Sequence, residues 1–442
     1  MDSIWTQTVQ LPEFESLRSD LKTDVLVIGG GLAGVLCALR LAQSGVNYAL
    51  VEANRIGGGI TKNTTAKITS QHGLIYDKLI REFGVERARL YLEANQKALE
   101  DYRALCQGIS CGFEEKDAFV YSLDGRKKLD RELNALNKLG FDAEFARDIP
   151  LPFPTAGAVK FPRQAQFHPL RFIAAAAKGL RIFEHTKVLE LGPGKAVTSG
   201  GTVSADKIIV ATHFPLLNKH GGYFLKLYQH RSYVLALKDA ADVNGMYIDE
   251  SGKGLSFRNY GGLLLLGGGS HRTGREGGCW QELERFAARH YPNAQITARW
   301  ATQDCMTLDG APYIGPYSRG TAGLYVATGF NKWGMTSSMA AAALLADLVL
   351  GRRNPYQELF SPSRTVLRPQ LAANGLESAL GLLTPTAPRC PHMGCALKYN
   401  AAEHSWDCPC HGSRFGEDGA LIDNPATDDN RRIKNAANAR RI

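Results

Sequence analysis

The chain has 442 residues, 44% of them hydrophobic, which is enough for two or three cores. Its formal charge of +9 is spread along the sequence; only residues 431–442 form a basic, acid-free segment, read as a solvated end, so nucleic acid is excluded as a partner. No apolar run approaches the roughly 18 residues of a membrane span, and the first twenty residues lack a basic start followed by an apolar core; we expect no transmembrane segment, no secretory signal and a cytoplasmic protein.

Residues 1–22 read as a polar lead-in. Asp24–Ile28 is a continuous apolar, β-branched run, the mark of a buried parallel strand. Glycines follow, then helical spacing over Val35–Gln43 and a second buried strand at Tyr48–Val51, together a βαβ unit. Residues 84–106 predict an amphipathic helix with Tyr91, Ala94, Ala98, Tyr102 and Leu105 on one face. Residues 150–170, rich in proline and aromatics, read as irregular. Lys207–Thr212 is a further buried strand, and between 215 and 300 short apolar runs alternate with glycine, as in antiparallel strands of a second layer. Leu324–Thr328 is a late buried strand, followed by glycine and a helix from about Thr336 to Leu350. The stretch 352–389 carries five prolines and reads as a linker.

Gly29-x-Gly31-x-x-Gly34 lies directly between strand and helix. The first glycine permits the tight turn, the second lets backbone approach a pyrophosphate, and the third allows close helix–strand packing. The helix N-terminus then offers unpaired N–H groups and the positive end of its dipole to the phosphates. Glu52, 18 residues past Gly34 at the end of the second strand, is placed to accept from a ribose. The bland alternative is a glycine-rich turn. The next loop, Gly57 to Lys67, is small and hydroxyl-bearing, which suits a ligand running into the interior and favours FAD over NAD. No second strand–GxGxxG–helix unit follows, since Arg272 stands where Gly267-x-Gly269 would need its third glycine; this argues against a pyridine-nucleotide reductase.

That loop, with Gln71-His72-Gly73, resembles the FAD-dependent amine and amino-acid oxidases of the D-amino-acid oxidase superfamily, over about residues 23–352. The resemblance implies an α/β fold, a Rossmann-like FAD-binding domain (about 23–80, 155–215 and 300–352) with an antiparallel-sheet substrate layer (about 81–154 and 216–299). It implies FAD contacts from Thr61, Thr65 and Ala66, and from Val188 in Thr186-Lys187-Val188 at the adenine. Ile209–Thr212 resembles the strand returning to the flavin. Asp309–Gly315 and Ala327–Gly334, including Gly329, Trp333 and Gly334, look like loops closing over the isoalloxazine ring. Cys305 sits where monomeric sarcosine oxidases attach flavin covalently; a buried thiol is the alternative. Arg231, Tyr233, Arg258, Tyr260, His271 and Arg272 fall in the substrate layer, as carboxylate binders or as packing and surface residues. His72 and His168 have no assignable catalytic role, and no catalytic residue is named.

Of nine cysteines, four fall within 21 residues, in Cys390-Pro-His392-Met-Gly-Cys395 and Cys408-Pro-Cys410-His411-Gly-Ser413. Cys-x-His and Cys-x-x-His pairs match a Rieske centre, in which two thiolates hold one iron and two imidazoles the other. A tetrahedral zinc site is the competing reading. The Rieske resemblance implies a 2Fe-2S cluster on Cys390, Cys408, His392 and His411, a disulfide between Cys395 and Cys410, and a Ser413 hydroxyl bonded to a bridging sulfide. Phe415 stands where high-potential relatives carry a tyrosine, which lowers the expected potential. After a linker at 353–384, a small all-β module at 385–442 is expected, little more than two cluster loops anchored by Trp406 and Phe415 and leaning on the flavin domain.

The favoured function is a flavin dehydrogenase: an amine or amino-acid-like substrate delivers a hydride to FAD, and electrons pass singly to the Rieske cluster and on to a protein or small-molecule acceptor. The alternatives are an electron-transfer protein that relays between redox partners without oxidising a small molecule, and a redox sensor with a structural cluster.

Overall fold

The structure, a computed structural model, describes residues 2–217, 220–252, 254–364, 371 and 388–434. Strand β1 (Leu21–Ile28), helix α1 (Leu32–Gln43) and strand β2 (Tyr48–Val51) form the expected βαβ unit. The last four residues of β1 are all buried because it lies centrally in a sheet covered on both faces. Helix α1 starts at Leu32, immediately after Gly31, and is closed off just past Gln43 by Gly45, whose φ of 70° lets Val46 N–H return to the Leu41 carbonyl.

In the first sheet β1 pairs in parallel with β2 on one side and with Gly201–Val210 on the other. Leu324–Thr328 continues the parallel run, and antiparallel Tyr313–Pro316 closes that edge. The helix Gly334–Val349 packs on α1, where Ala341 and Ala342 are buried and let the two backbones approach. The predicted 84–106 helix is Val85–Cys106, with Tyr91, Ala94, Ala98 and Tyr102 buried and Leu105 half-buried.

The second sheet has nine strands and is antiparallel except where Met246–Asp249 runs parallel to Glu114–Tyr121. Its far end is the long pair Leu227–Lys238 and Gln295–Thr307. Three segments depart from the sequence reading. Ala158–Gln166, expected to be irregular, is a strand of this sheet; Pro162 is tolerated because the ladder to Glu114–Tyr121 is bulged there, between Lys116 and Ala118. Cys279–His290 is a helix within the strand-rich stretch, with Trp280 and Leu283 buried against the sheet. The N-terminal lead-in is fastened to the body of the domain: Trp5 is fully buried with its indole N–H on the Thr64 carbonyl, and Phe14 N–H reaches the buried Glu184. At the other end, Gln357–Phe360 is a short helix and Arg364 pairs with Asp309 at 2.7 Å, so the linker's start packs on this domain; 365–370 and 372–387 lie outside the described residues.

The C-terminal module is a four-stranded antiparallel sheet, Lys398–Asn400, Ser405–Asp407, Arg414–Gly416 and Leu421–Asp423. Phe415 is fully buried in its core, while Trp406 stays half-buried against Tyr399. The module docks on the two-sheet domain through a buried charge network. Glu403 accepts from Arg231 at 3.0 Å and from Arg414 at 2.8 Å, and Arg414 also holds Asp407 and Asp423, each at 3.0 Å. Such a network adds little net stability over apolar packing, but removing any one partner would leave an uncompensated buried charge.

Candidate functional site

A cavity of about 810 Å³, at the upper end of the range for ligand sites, runs from Thr186–Val188 past Glu52 and Gly29–Ala33 to His72, Trp333 and the far end of the second sheet. The glycines behave differently there. Gly29 has φ +107°, and a Cβ on it would lie 2.6 Å from the Ala211 carbonyl oxygen; a Cβ on Gly34 would lie 1.8 Å from the Gly29 oxygen. Both are demanded by the fold. A Cβ on Gly31 meets nothing nearer than Thr61 Oγ1 at 3.6 Å, so this glycine keeps a groove clear at the α1 N-terminus, which is the cradle a dinucleotide pyrophosphate needs. Thr61 Oγ1 accepts the Leu32 N–H at 3.1 Å. The Glu52 carboxylate accepts from Gly30 N–H at 2.6 Å and Asn54 N–H at 2.8 Å, and burial raises its pKa.

Gly29, Gly31, Glu52, Thr61, Thr65, Val188, Gly329, Trp333 and Gly334 line this cavity. Gly34 and Ala66 do not. Gly34 works through packing, and Ala66, fully buried at φ 53°, gives its carbonyl to Arg258. Asp309–Gly315 also stays off the cavity: Asp309 is held by Arg364, and Tyr313–Pro316 is an edge strand. His72 stacks on Trp333 with ring centres 4.9 Å apart and bonds the Tyr91 hydroxyl at 2.7 Å; burial draws it down to about 3, so it is neutral. His168 caps a helix at Arg171 N–H, a structural role.

The long strand pair decides the fate of the remaining candidates. Successive side chains alternate between faces. Tyr228, His230 and Ser232, and opposite them Met306, Asp304 and Thr302, look into the cavity. On the reverse face Gln229, Arg231 and Gln303 meet the C-terminal module. Arg231 is therefore spent on Glu403; the Tyr233 hydroxyl likewise bonds Glu403, at 2.9 Å, and His271, also at 2.9 Å. Arg272 lies over Tyr228 and reaches the Cys410 carbonyl. Arg258 is buried against Trp5 and Tyr260. Of the six proposed carboxylate binders, none but Tyr233 touches the cavity wall. Its inner end is lined by Lys67 and Lys332, from loops read as meeting the flavin, and by Tyr228, His230 and Asp304, which went unassigned in the sequence; the even-numbered phase of the two strands was the available signal for these three.

Cys305 falls in the same reverse phase. It is buried, with its sulfur 3.7 Å from Thr328 Oγ1 and its thiol pushed up to about 12 by burial, while its neighbours Asp304 and Met306 line the cavity. We expect acid precipitation to release all the flavin into the supernatant, and Cys305→Ser to leave flavin content unchanged. Flavin that stays with the wild-type polypeptide and is freed by Cys305→Ser would reverse this conclusion.

The two C-terminal loops are built alike. Cys390 N–H bonds the Cys395 carbonyl and Cys408 N–H the Ser413 carbonyl, each at 2.8 Å; Gly394 and Gly412, at φ 77° and 89°, close each loop back on its first cysteine. Cys395 and Cys410 are joined as a disulfide. The sulfurs of Cys395, Cys408 and Cys410 lie within 4.8 Å of one another, but the disulfide removes two of them as ligands, leaving Cys390 and Cys408 as the free thiols. His392 and His411 stand with ring centres 4.9 Å apart, and all four of their ring nitrogens are buried without a hydrogen-bond partner. Burial draws these imidazoles down to about 4 and about 3, the neutral form that metal ligation requires. Two thiols and two orphaned neutral imidazoles are the donor set of a Rieske 2Fe-2S centre, a set that a tetrahedral zinc ion would also accept. The Ser413 hydroxyl accepts Ala426 N–H at 2.9 Å.

A βαβ unit with a groove shaped for a dinucleotide, an antiparallel second layer and a two-loop thiol–imidazole module together point to an iron–sulfur flavoprotein oxidoreductase. Residues 24–348 match the FAD dependent oxidoreductase family and residues 378–435 the Rieske 2Fe-2S domain. The Rieske 2Fe-2S iron-sulfur protein YhfW of Bacillus subtilis is 36% identical, covering 96% of each chain. The gamma-glutamylputrescine oxidoreductase of Escherichia coli is 23% identical over 76% of this chain and 86% of its own. The solved glycine oxidase of Geobacillus kaustophilus shares the fold at TM-score 0.65 and 22% identity, covering 78% of this chain and all of that one. The chain belongs to the FAD dependent oxidoreductase family and carries a Rieske domain, so it is a flavin enzyme with FAD and a 2Fe-2S cluster as cofactors. Among the described residues no helix is long and apolar enough to cross a membrane.

Proposed function

We propose that this enzyme oxidises a small amine or amino-acid-like substrate at its FAD and delivers the electrons to its own Rieske cluster. Residues 23–352 would form the flavin domain and 385–442 the cluster domain. Gly29, Gly31, Glu52, Thr61, Thr65, Val188, Gly329, Trp333 and Gly334 would contact FAD, and Cys390, Cys408, His392 and His411 would hold the two irons. Bound FAD supplies two-electron oxidation with release one electron at a time, and the cluster supplies one-electron acceptance.

The observation that carries the electron route is the two-strand wall, with the cavity on one face and the cluster loops on the other. His213 lines the cavity and bonds Gln229 Oε1 at 3.2 Å. Gln229 in turn lies against Gly412, the neighbour of His411, and Gln303 donates to the Gly412 carbonyl at 2.9 Å. One layer of side chains thus separates the flavin cavity from a cluster-ligand loop. The substrate class is supported by the likeness to an amine-named and an amino-acid-named oxidoreductase. Within the cavity, Lys67 stands with Nζ 3.4 Å from Thr65 Oγ1, and burial, with Arg258 nearby, draws its ammonium down to about 7. A lysine neutral at that pH can take the proton from a substrate ammonium and leave the nitrogen lone pair that oxidation of the adjacent C–H bond needs.

Anaerobic titration of the purified protein with a panel of amines and amino acids tests the proposal. One compound is expected to bleach the flavin, with cluster reduction following. The bleaching rate should rise as pH passes about 7, because Lys67 accepts a proton only when neutral, and Lys67→Met should abolish that rise. Bleaching by a protein donor alone would select the electron-relay reading, and a cluster that stays oxidised beside reduced flavin would rule out the route.

A further inference from the structure

The flavin cavity is not closed by the flavin domain alone. Part of its wall is the strand Leu421–Asp423 and the following turn, Asn424 to Thr427, which belong to the cluster module. Asn424 pins that turn: its Nδ2 donates to the Thr212 carbonyl at 2.7 Å and the Phe214 carbonyl at 3.3 Å. Thr212 follows Ala211, whose backbone abuts Gly29 of the dinucleotide loop. On the other side Lys187, next to Val188, donates to the Thr427 carbonyl and pairs with Asp428 at 3.4 Å.

The seating is a fitted one. Gly412, at φ +89°, brings the cluster loop so near the flavin domain that a Cβ would lie 2.2 Å from the Gln229 side chain. Gly274, at φ +75°, does the same from the opposite side, where a Cβ would lie 2.6 Å from the Pro409 nitrogen. Asp423, at the root of the turn, is held by Arg414 at 3.0 Å and faces Arg231 at 3.8 Å. A turn tied at both ends and backed by buried charge cannot lift away without breaking several of these contacts together.

We infer that FAD is held by a two-domain site: segment 421–427 of the Rieske domain forms part of the wall that retains the dinucleotide. The inference rests on FAD occupying the cavity, and is independent of which substrate is oxidised and of the electron route.

The test uses the full-length protein with its cluster loaded. FAD affinity is measured by titrating flavin-stripped protein with FAD, FAD release by the return of free-flavin fluorescence on dilution, and iron and labile sulfide are assayed alongside. Asn424→Ala is expected to weaken FAD binding about tenfold, the loss of one or two hydrogen bonds, with iron and sulfide unchanged. Asp428→Lys, a change at an exposed position, is expected to speed FAD release in the same direction by a smaller factor. Should Asn424→Ala fail to fold, Asp428→Lys alone carries the test. Unchanged FAD affinity and release in the folded variants would overturn the inference. Absence of any bleaching substrate would sink the amine-oxidation proposal without touching this measurement, because no substrate is added. A wild-type chain that takes up no FAD would overturn the inference together with the cofactor assignment.

Discussion

Gly31→Val is expected to purify folded but depleted of flavin. Its backbone, at φ −71° and ψ −179°, lies in the extended region that valine prefers, so the substitution brings no strain. The first added carbon also has room, with Thr61 Oγ1 at 3.6 Å as the nearest atom. The two branch methyls, however, fill the groove in front of the α1 N-terminus, where the pyrophosphate must come close to backbone N–H groups. Intrusion of this kind costs about 1–3 kcal/mol, a loss of roughly five- to 150-fold in FAD affinity. Gly29 and Gly34 cannot serve this test, since a Cβ on either collides with backbone and would unfold the loop itself. Glu52→Ala is also less clean, because its carboxylate ties Gly30 to Asn54 as well as facing the cavity. The readout is flavin absorbance per chain, with circular dichroism as the folding control. A Gly31→Val protein that titrates with FAD at wild-type affinity would show that the dinucleotide is not bound here.

Cys408→Ser is expected to remove the cluster entirely. Cys408 is fully buried, its N–H closes the second loop on Ser413, and its thiol faces that of Cys390. A serine hydroxyl keeps the loop's shape but not the thiolate that one iron requires. Iron and acid-labile sulfide should fall from about two each per chain to near zero. By contrast, replacing both Cys395 and Cys410 with serine should leave the cluster assembled but more easily lost, because those sulfurs tie the loops together without being free to bind iron. One zinc and no sulfide in the wild-type protein would refute the Rieske assignment despite its motif.

The motifs that could be read from the chain are those whose chemistry is packed into consecutive residues. The glycine spacing, the buried runs at β1 and β2 and the acidic residue at the end of β2 lie within thirty-odd residues, and each imposes its own local geometry. The cluster loops are equally local, with cysteine, histidine and glycine at fixed offsets. Segments whose structure depends on distant partners were misread. Ala158–Gln166 is a strand only because neighbouring strands pair with it around the bulge at Pro162, which no local propensity signals.

The functional residues divide in the same way. By itself the sequence determined that a dinucleotide fold and a thiol–imidazole module share this chain, because those signatures are local. It could not determine which phase of the strand pair faces the flavin cavity. Arg231 has the chemistry of a carboxylate binder, yet its phase turns it toward Glu403, while His230 and Asp304, one residue away on their strands, turn inward. That choice was made by the docking of the C-terminal module on the reverse face, a contact between residues about 170 positions apart in the chain. The same docking carries Asn424 to the cavity wall. Burial of opposite charges and close backbone approach at Gly412 and Gly274 decide that arrangement, and both exist only once the two domains have met.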